Sequence, residues 1–236
     1  MKNEYEGVAA VPRLEPLGLP PETAEQAGQS GQPPAAAVAL RLASAMANAK
    51  GDIIYVASSE RRAEETARAL AGFAPQADIL FLPAWDCLPY DRAPPSSEVM
   101  GQRMSVLRRC LTPSKRARIL VLAPEALVQK LPPADVVRNT VFSLKSGADF
   151  DRQAFEDFAL LTGYRIDDRV DEPGEVALRG NVVEVFPADA QAPVRITDMD
   201  GTIQSMQRYD PRSQRSLDEI AELTLGPASE LVIAAD

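Results

Sequence analysis

Histidine is missing from all 236 residues. That removes Ser-His-Asp and Cys-His nucleophilic catalysis, the two-histidine iron site and the ordinary acid–base group of neutral pH. Only two cysteines are present, Cys87 and Cys110, without CxxC spacing, so neither a disulfide framework nor a zinc site is expected. Positive charge is scarce as well. Against 34 acidic residues stand 25 Lys and Arg, a net charge of −9, the wrong sign for gripping nucleic acid by bulk electrostatics. No run approaches the ~20 apolar residues that a membrane span requires, and the N-terminus lacks a basic region followed by an apolar one. These absences point to a cytoplasmic chain.

What is present is ordinary globular material, with 45% hydrophobic and 25% charged residues, enough for one large domain or two modest ones. Prolines at 12, 16, 20, 21, 33 and 34 mark residues 1–34 as an irregular N-terminal arm. From Ala35 the texture alternates. A helical stripe through Val38, Leu42 and Ala45 precedes the apolar run at 53–57, and a stripe through Ala63, Ala67 and Leu70 precedes the run at 79–82. A third stripe, Met100, Met104, Leu107 and Leu111, leads through a basic surface turn (Lys115, Arg116, Arg118) to the run at 119–122. Short strands apolar on both faces and separated by helices predict a parallel α/β sheet over 35–132.

Beyond Pro132 the strands alternate apolar and polar residues, with one helix near 151–162 capped by Asp151 and closed by Gly163, and with Asp200-Gly201 as a hairpin signal. A small α+β domain is expected over 133–222, either following or inserted into the first. Residues 223–236 are expected to return to the α/β domain.

A nucleotide site in such a fold would sit at a glycine-rich loop before a helix. The candidate contains Gly28 and Gly31, directly before Pro33-Pro34. It lacks the Lys and Ser/Thr that contact phosphate and magnesium, and the prolines remove amide donors. No cofactor, metal or catalytic residue is therefore assigned. Asp86 and Asp91 have no evident partner for metal or acid–base work.

The segment Pro83-x-Trp85-Asp86-x-Leu88-Pro89-Tyr90-Asp91, followed by Pro95, Arg103 and Leu107, resembles the N-terminal region of bacterial transcription-repair coupling factors (Mfd), the part similar to the excision-repair protein UvrB. Bottom-up, the same segment reads as a rigid loop whose aromatics lie against the sheet. Two further blocks carry the resemblance. One is Gly163-Tyr164-Arg165 with Gly174-Glu175-x-x-x-Arg179-Gly180-x-x-x-Glu184-x-Phe186-Pro187, and the other is Tyr209-Asp210-Pro211-x-Ser213-Gln214-Arg215-Ser216.

The resemblance implies a helicase-type, UvrB-like α/β domain, incomplete here, carrying a small domain that docks UvrA, with Arg165, Arg179 and Phe186 on the docking surface. It implies recruitment of UvrA to stalled RNA polymerase for nucleotide excision repair. Contacts to RNA polymerase and DNA, and ATP-driven translocation, belong to parts of the family member that lie beyond Asp236, so no ATPase activity is expected of this chain. The alternative is a UvrB-type ATP-dependent helicase domain, against which the degenerate loop at Gly28 and Gly31 argues. Arg179 has its own local alternative, an ion pair with Glu175 or Glu184 that stabilises the sheet by roughly 0.2–1 kcal/mol when exposed. By pattern, Phe186 fits a core position as well as a contact. Arg169 and Arg195 are weaker candidates on the same strands, and Asp167, Asp168, Asp171 and Glu172 read as a solvated turn.

Overall fold

Three short strands, each apolar on both sides, need cover on both sides, and the fold supplies it except over Ile54 and Val56, which stay exposed although the run at 53–57 reads as buried on both faces. The computed structural model describes residues 33–232 apart from 89 and 91. The loop at Gly28 and Gly31 and most of the arm lie outside the described residues. Strands β1 (Ile53–Val56), β2 (Asp78–Leu82) and β3 (Arg118–Leu122) pair in parallel in the order β1-β3-β2. Helices α1 (Ala35–Asn48) and α2 (Glu60–Phe73) pack Ala39, Leu42, Met46, Ala63 and Leu70 against Ile53, Ile119 and Val121. On the other side Leu80, Leu82 and Leu122 meet Val106 of α3 (Ser97–Leu111) and Ala126 of α4 (Pro124–Leu127). Each fully buried aliphatic side chain contributes about 1.5–3 kcal/mol, and the alternation along β2 and β3 divides them between the two layers.

Arg118 is not part of a basic surface turn. It is 6% exposed, pairs with Asp52 at 3.5 Å, and donates to the carbonyls of Cys110 at 2.9 Å and Thr112 at 2.7 Å. It thereby satisfies acceptors left open where α3 ends. Helix α5 (Ala134–Asn139) packs on α3, so the α/β part extends past 133.

The second module is a six-stranded sheet in the order β10-β9-β8-β7-β6-β5. Its strands are β5 (Arg165–Ile166), β6 (Glu175–Arg179), β7 (Val182–Val185), β8 (Val194–Met199), β9 (Thr202–Tyr209) and β10 (Ser216–Glu219). Neighbours are antiparallel except β5 with β6. Helix α6 (Arg152–Leu161), capped by Asp151 Oδ1 accepting from the Ala154 amide at 2.9 Å, lays Phe155 and Ala159 on Val176, Val183, Ile196 and Met206. Asp200 and Gly201 both take positive φ, 52° and 75°, the geometry of a two-residue turn matched to strand twist.

The return segment begins later than the sequence suggested. Strand β11 (Glu222–Leu225) pairs antiparallel with β4 (Phe142–Lys145), and Leu225 and Ala228 join the core of the second module. Two apolar residues at a spacing of two suit either sheet, and β4 offered an edge close at hand. The crossing back is made at Ser229 and Glu230. Both modules fall in a single compact unit, with α3 between them. A Cβ on Gly101 would stand 2.3 Å from the Ala188 Cβ, and one on Gly174 (φ +86°) would stand 2.6 Å from the Ser97 Cβ, so glycine is what permits this approach.

The same helix carries a buried polar junction. Arg103, fully buried, donates from Nη1 to the Pro83 carbonyl at 2.7 Å and to Gln129 Oε1 at 3.0 Å, and from Nε to Glu230 Oε1. Trp85 Nε1 donates to the same Glu230 oxygen at 3.1 Å, and the Arg103 guanidinium lies 5.5 Å from the Trp85 ring centroid. The Trp85 ring is thus the lid of an ion pair. Tyr90, expected against the sheet, is fully exposed.

Candidate functional site

On the face of the six-stranded sheet opposite α6, side chains come from alternate positions: Glu175, Ala177 and Arg179 of β6, Val182, Glu184 and then Phe186 in line with β7, and Arg195 of β8. A loop at 167–173 roofs part of this face. Val170 of the loop packs on Ala177 and Phe186 in a small cluster of its own.

Glu175 organises the roof. Only 5% exposed, its Oε2 accepts from the amides of Asp171 at 2.8 Å and Glu172 at 2.9 Å, while Oε1 accepts from Arg165 Nη2. Burial alone would push the Glu175 carboxyl up, but the two amides and the Arg165 guanidinium outweigh it and hold the carboxyl below its ordinary 4.5. The charged form is therefore favoured by folding, and this stabilisation is full above the ordinary carboxylate range and lost as pH falls through the depressed folded value. Wild-type chain is expected to lose stability on acidification more steeply than Glu175→Gln. Denaturant titrations at pH 7 and at about pH 3.5 check this, and parallel pH dependences would refute it.

The turn at Gly180 presents Arg179. Gly180 has φ +47°, and its carbonyl accepts from Arg152 Nη1 at 2.6 Å, so the end of the β6–β7 hairpin is tied to the start of α6. Arg179 is exposed and lines two adjoining clefts. The first, about 360 Å³, is shared with Ile166, Asp167, Asp168 and Leu178. The second, about 250 Å³, is shared with Ala177, Val182 and Glu184.

The expected partners of Arg179 are both engaged elsewhere. Glu175 holds Arg165, and Glu184 Oε1 accepts from Arg195 Nε at 2.7 Å and lies 2.6 Å from its Nη2. Arg195 also donates to Gln214 Oε1 at 3.0 Å, and its guanidinium carbon sits 4.5 Å from the centroid of the Tyr209 ring. The Ser213-Gln214 turn that delivers this acceptor is closed by Asp210 Oδ1 accepting from the Ser213 amide at 2.6 Å, with Gln214 at φ +60°. Among the described residues Arg179 has no ion-pair partner.

Of the three residues assigned to docking, Arg165, opposite Glu175 on β5, and Arg179, four positions beyond Glu175 on β6, stand on one face. Phe186 does not join them at the surface. It is 6% exposed beneath Val170, because the loop at 167–173 covers the position that strand alternation alone leaves open. Arg169 is engaged by Asp171 at 2.8 Å. The part played by Glu184 and Gln214 was not legible, since neither pairing is between sequence neighbours.

Residues 142–231 match the UvrB interaction domain family. The chain is 33% identical over 180 residues to the transcription-repair-coupling factor of Haemophilus influenzae, covering 75% of this chain and 15% of the relative. It is 32% identical over 192 residues to that of Myxococcus xanthus (78% and 16%), and 29% over 200 residues to that of Escherichia coli (85% and 17%). By sequence the chain is similar to transcription-repair-coupling factors over three quarters or more of its own length. It spans about one sixth of the length of these coupling factors. The UvrB interaction domain match begins at the first residue of β4 and takes in Glu230, so it encloses the second module and the crossing back. Among the described residues no helix is long and apolar enough to cross a membrane.

Proposed function

We propose that this chain is a non-catalytic interaction module of a transcription-repair-coupling factor, docking UvrA so that it is recruited to stalled RNA polymerase for nucleotide excision repair. One observation carries the site: Arg179 is an exposed guanidinium between two clefts, without an ion-pair partner among the described residues, while Glu184 across the second cleft is held by Arg195. A guanidinium left unpaired on a rigid hairpin suits bidentate recognition of a partner's carboxylate at low ordering cost. Ile166 and Leu178 in the first cleft add apolar area, and arginine is among the side chains enriched where binding energy concentrates. Arg165 lies on the same face and serves as a flanking contact. Phe186 acts from beneath, as support for the roof. RNA polymerase, DNA and ATP-driven movement are assigned to the remaining length of the coupling factors, and the match of residues 142–231 to the UvrB interaction domain supports recognition through the second module.

Titration of purified UvrA onto the chain tests the reading. Saturable binding is expected, weakened about tenfold, or about 1.4 kcal/mol, in Arg179→Ala. Coincident wild-type and variant curves would remove Arg179 from the surface.

A further inference from the structure

Arg179 and Glu184 line the same cleft, yet they do not pair. Their positions permit it. Arg179 is opposite Val182 on β7, so Glu184 is its diagonal neighbour on the same face. Diagonal positions on an antiparallel pair are about 7–8 Å apart, within reach of long side chains. What stands in the way is Arg195, directly opposite Glu184 on β8. It places two N–H groups on one carboxylate oxygen, its guanidinium is stacked on Tyr209, and Gln214 holds a further donor. Tyr209 is itself buried, so the stacking platform is fixed. Three points of attachment make Arg195 the better-organised partner for Glu184, while Arg179 sits at a strand end with nothing to preorganise it toward that carboxylate.

We infer that Arg195 is a positioning residue for docking: by holding the Glu184 carboxylate, it keeps the Arg179 guanidinium unpaired and available to a carboxylate on the partner. The inference rests on the docking reading for its purpose, but the internal competition is a property of the chain alone. If Arg195 is neutralised, Glu184 is left with charge and with Arg179 as the cation that lines the same cleft. An ion pair of this kind takes Arg179 out of the binding-competent state, and apparent affinity falls by the competent fraction.

Two measurements separate the inference from the docking reading. The first is the rate at which phenylglyoxal labels Arg179 in the chain alone, followed by peptide mass spectrometry. Arg195→Met, which keeps an apolar stem over Tyr209, is expected to slow labelling about fivefold, the upper range for a partly exposed pair. Adding Glu184→Gln to it is expected to restore the wild-type rate, and Arg195→Lys is expected to leave the rate unchanged. If Arg195→Met does not fold, Arg195→Gln takes its place. Unchanged labelling in the neutral variants, or a double variant as slow as the single, overturns the inference.

The second is UvrA titration of the same set. Affinity is expected to fall about fivefold in Arg195→Met and to recover in the double variant. Loss of affinity that the double variant does not repair would make Arg195 a contact and overturn its positioning role. Restored labelling with no UvrA binding by any form, wild type included, would leave the internal competition standing and sink the docking reading instead.

Discussion

Glu230→Ala is expected to destabilise the chain by about 3–5 kcal/mol, the usual cost of stranding a buried charge by removing its partner. Arg103 is fully buried on α3 and takes its only carboxylate, among the described residues, from Glu230, whose side chain is 8% exposed. Without that carboxylate the guanidinium keeps two neutral acceptors, the Pro83 carbonyl and Gln129, and Trp85 Nε1 loses its acceptor as well. Arg103→Met together with Glu230→Leu should behave differently, recovering most of the loss, because an apolar pair of similar volume removes the stranded charge. The geometry leaves room for such recovery: among the described residues Arg103 Nη2 and Glu230 Oε2 have no partner even in the intact pair. Equilibrium urea unfolding of the two single variants and the double variant measures this. A Glu230→Ala loss below about 1 kcal/mol would mean that the junction behaves as a surface pair.

Phe186→Ala is expected to cost about 3–5 kcal/mol, as for other large-to-small core substitutions of phenylalanine. The ring fills the space between Val170 and Ala177. The backbone amide of Phe186 donates to the Glu175 carbonyl at 2.9 Å, and its carbonyl accepts from Gly174 at 2.9 Å. The loop above is the one whose amides at Asp171 and Glu172 bind Glu175. A cavity under the loop therefore loosens the carboxylate that holds Arg165. Phe186→Leu keeps most of the volume and should cost less than about 1.5 kcal/mol, with UvrA affinity unchanged. If Phe186→Leu instead lost affinity while keeping stability, the ring would be touching the partner directly.

These residues show what the sequence could and could not disclose. The strands at 79–82 and 119–122 were legible because side chains on both faces pack on helices, which leaves an apolar run with no polar alternation; the run at 53–57 has the same texture although Ile54 and Val56 stay exposed. The Asp200-Gly201 turn and the Asp151 cap were legible because a local backbone geometry demands those residue types. Phe186 was not, because its burial depends on a loop passing over the sheet and not on its own strand. Nor was the Arg103–Glu230 pair, whose members are 127 residues apart. The expected ion pairing of Arg179 failed for a related reason. Glu175 lies four residues along the same strand, about 13 Å away and out of reach, and only the third dimension shows that Arg195 reaches the diagonal neighbour Glu184 first.

Phe142 stands opposite Leu225 in the β4–β11 pair, so the polypeptide enters the smaller module at the base of this ribbon, and it leaves three to four residues past the same base, where the Ala228 and Ser229 amides both donate to the Thr162 carbonyl. A mechanical load carried along the backbone passes across that base and would peel the ribbon apart pair by pair before it strained the six-stranded sheet. The Arg179 hairpin, beyond the base and pinned to α6, lies off the path of such a pull.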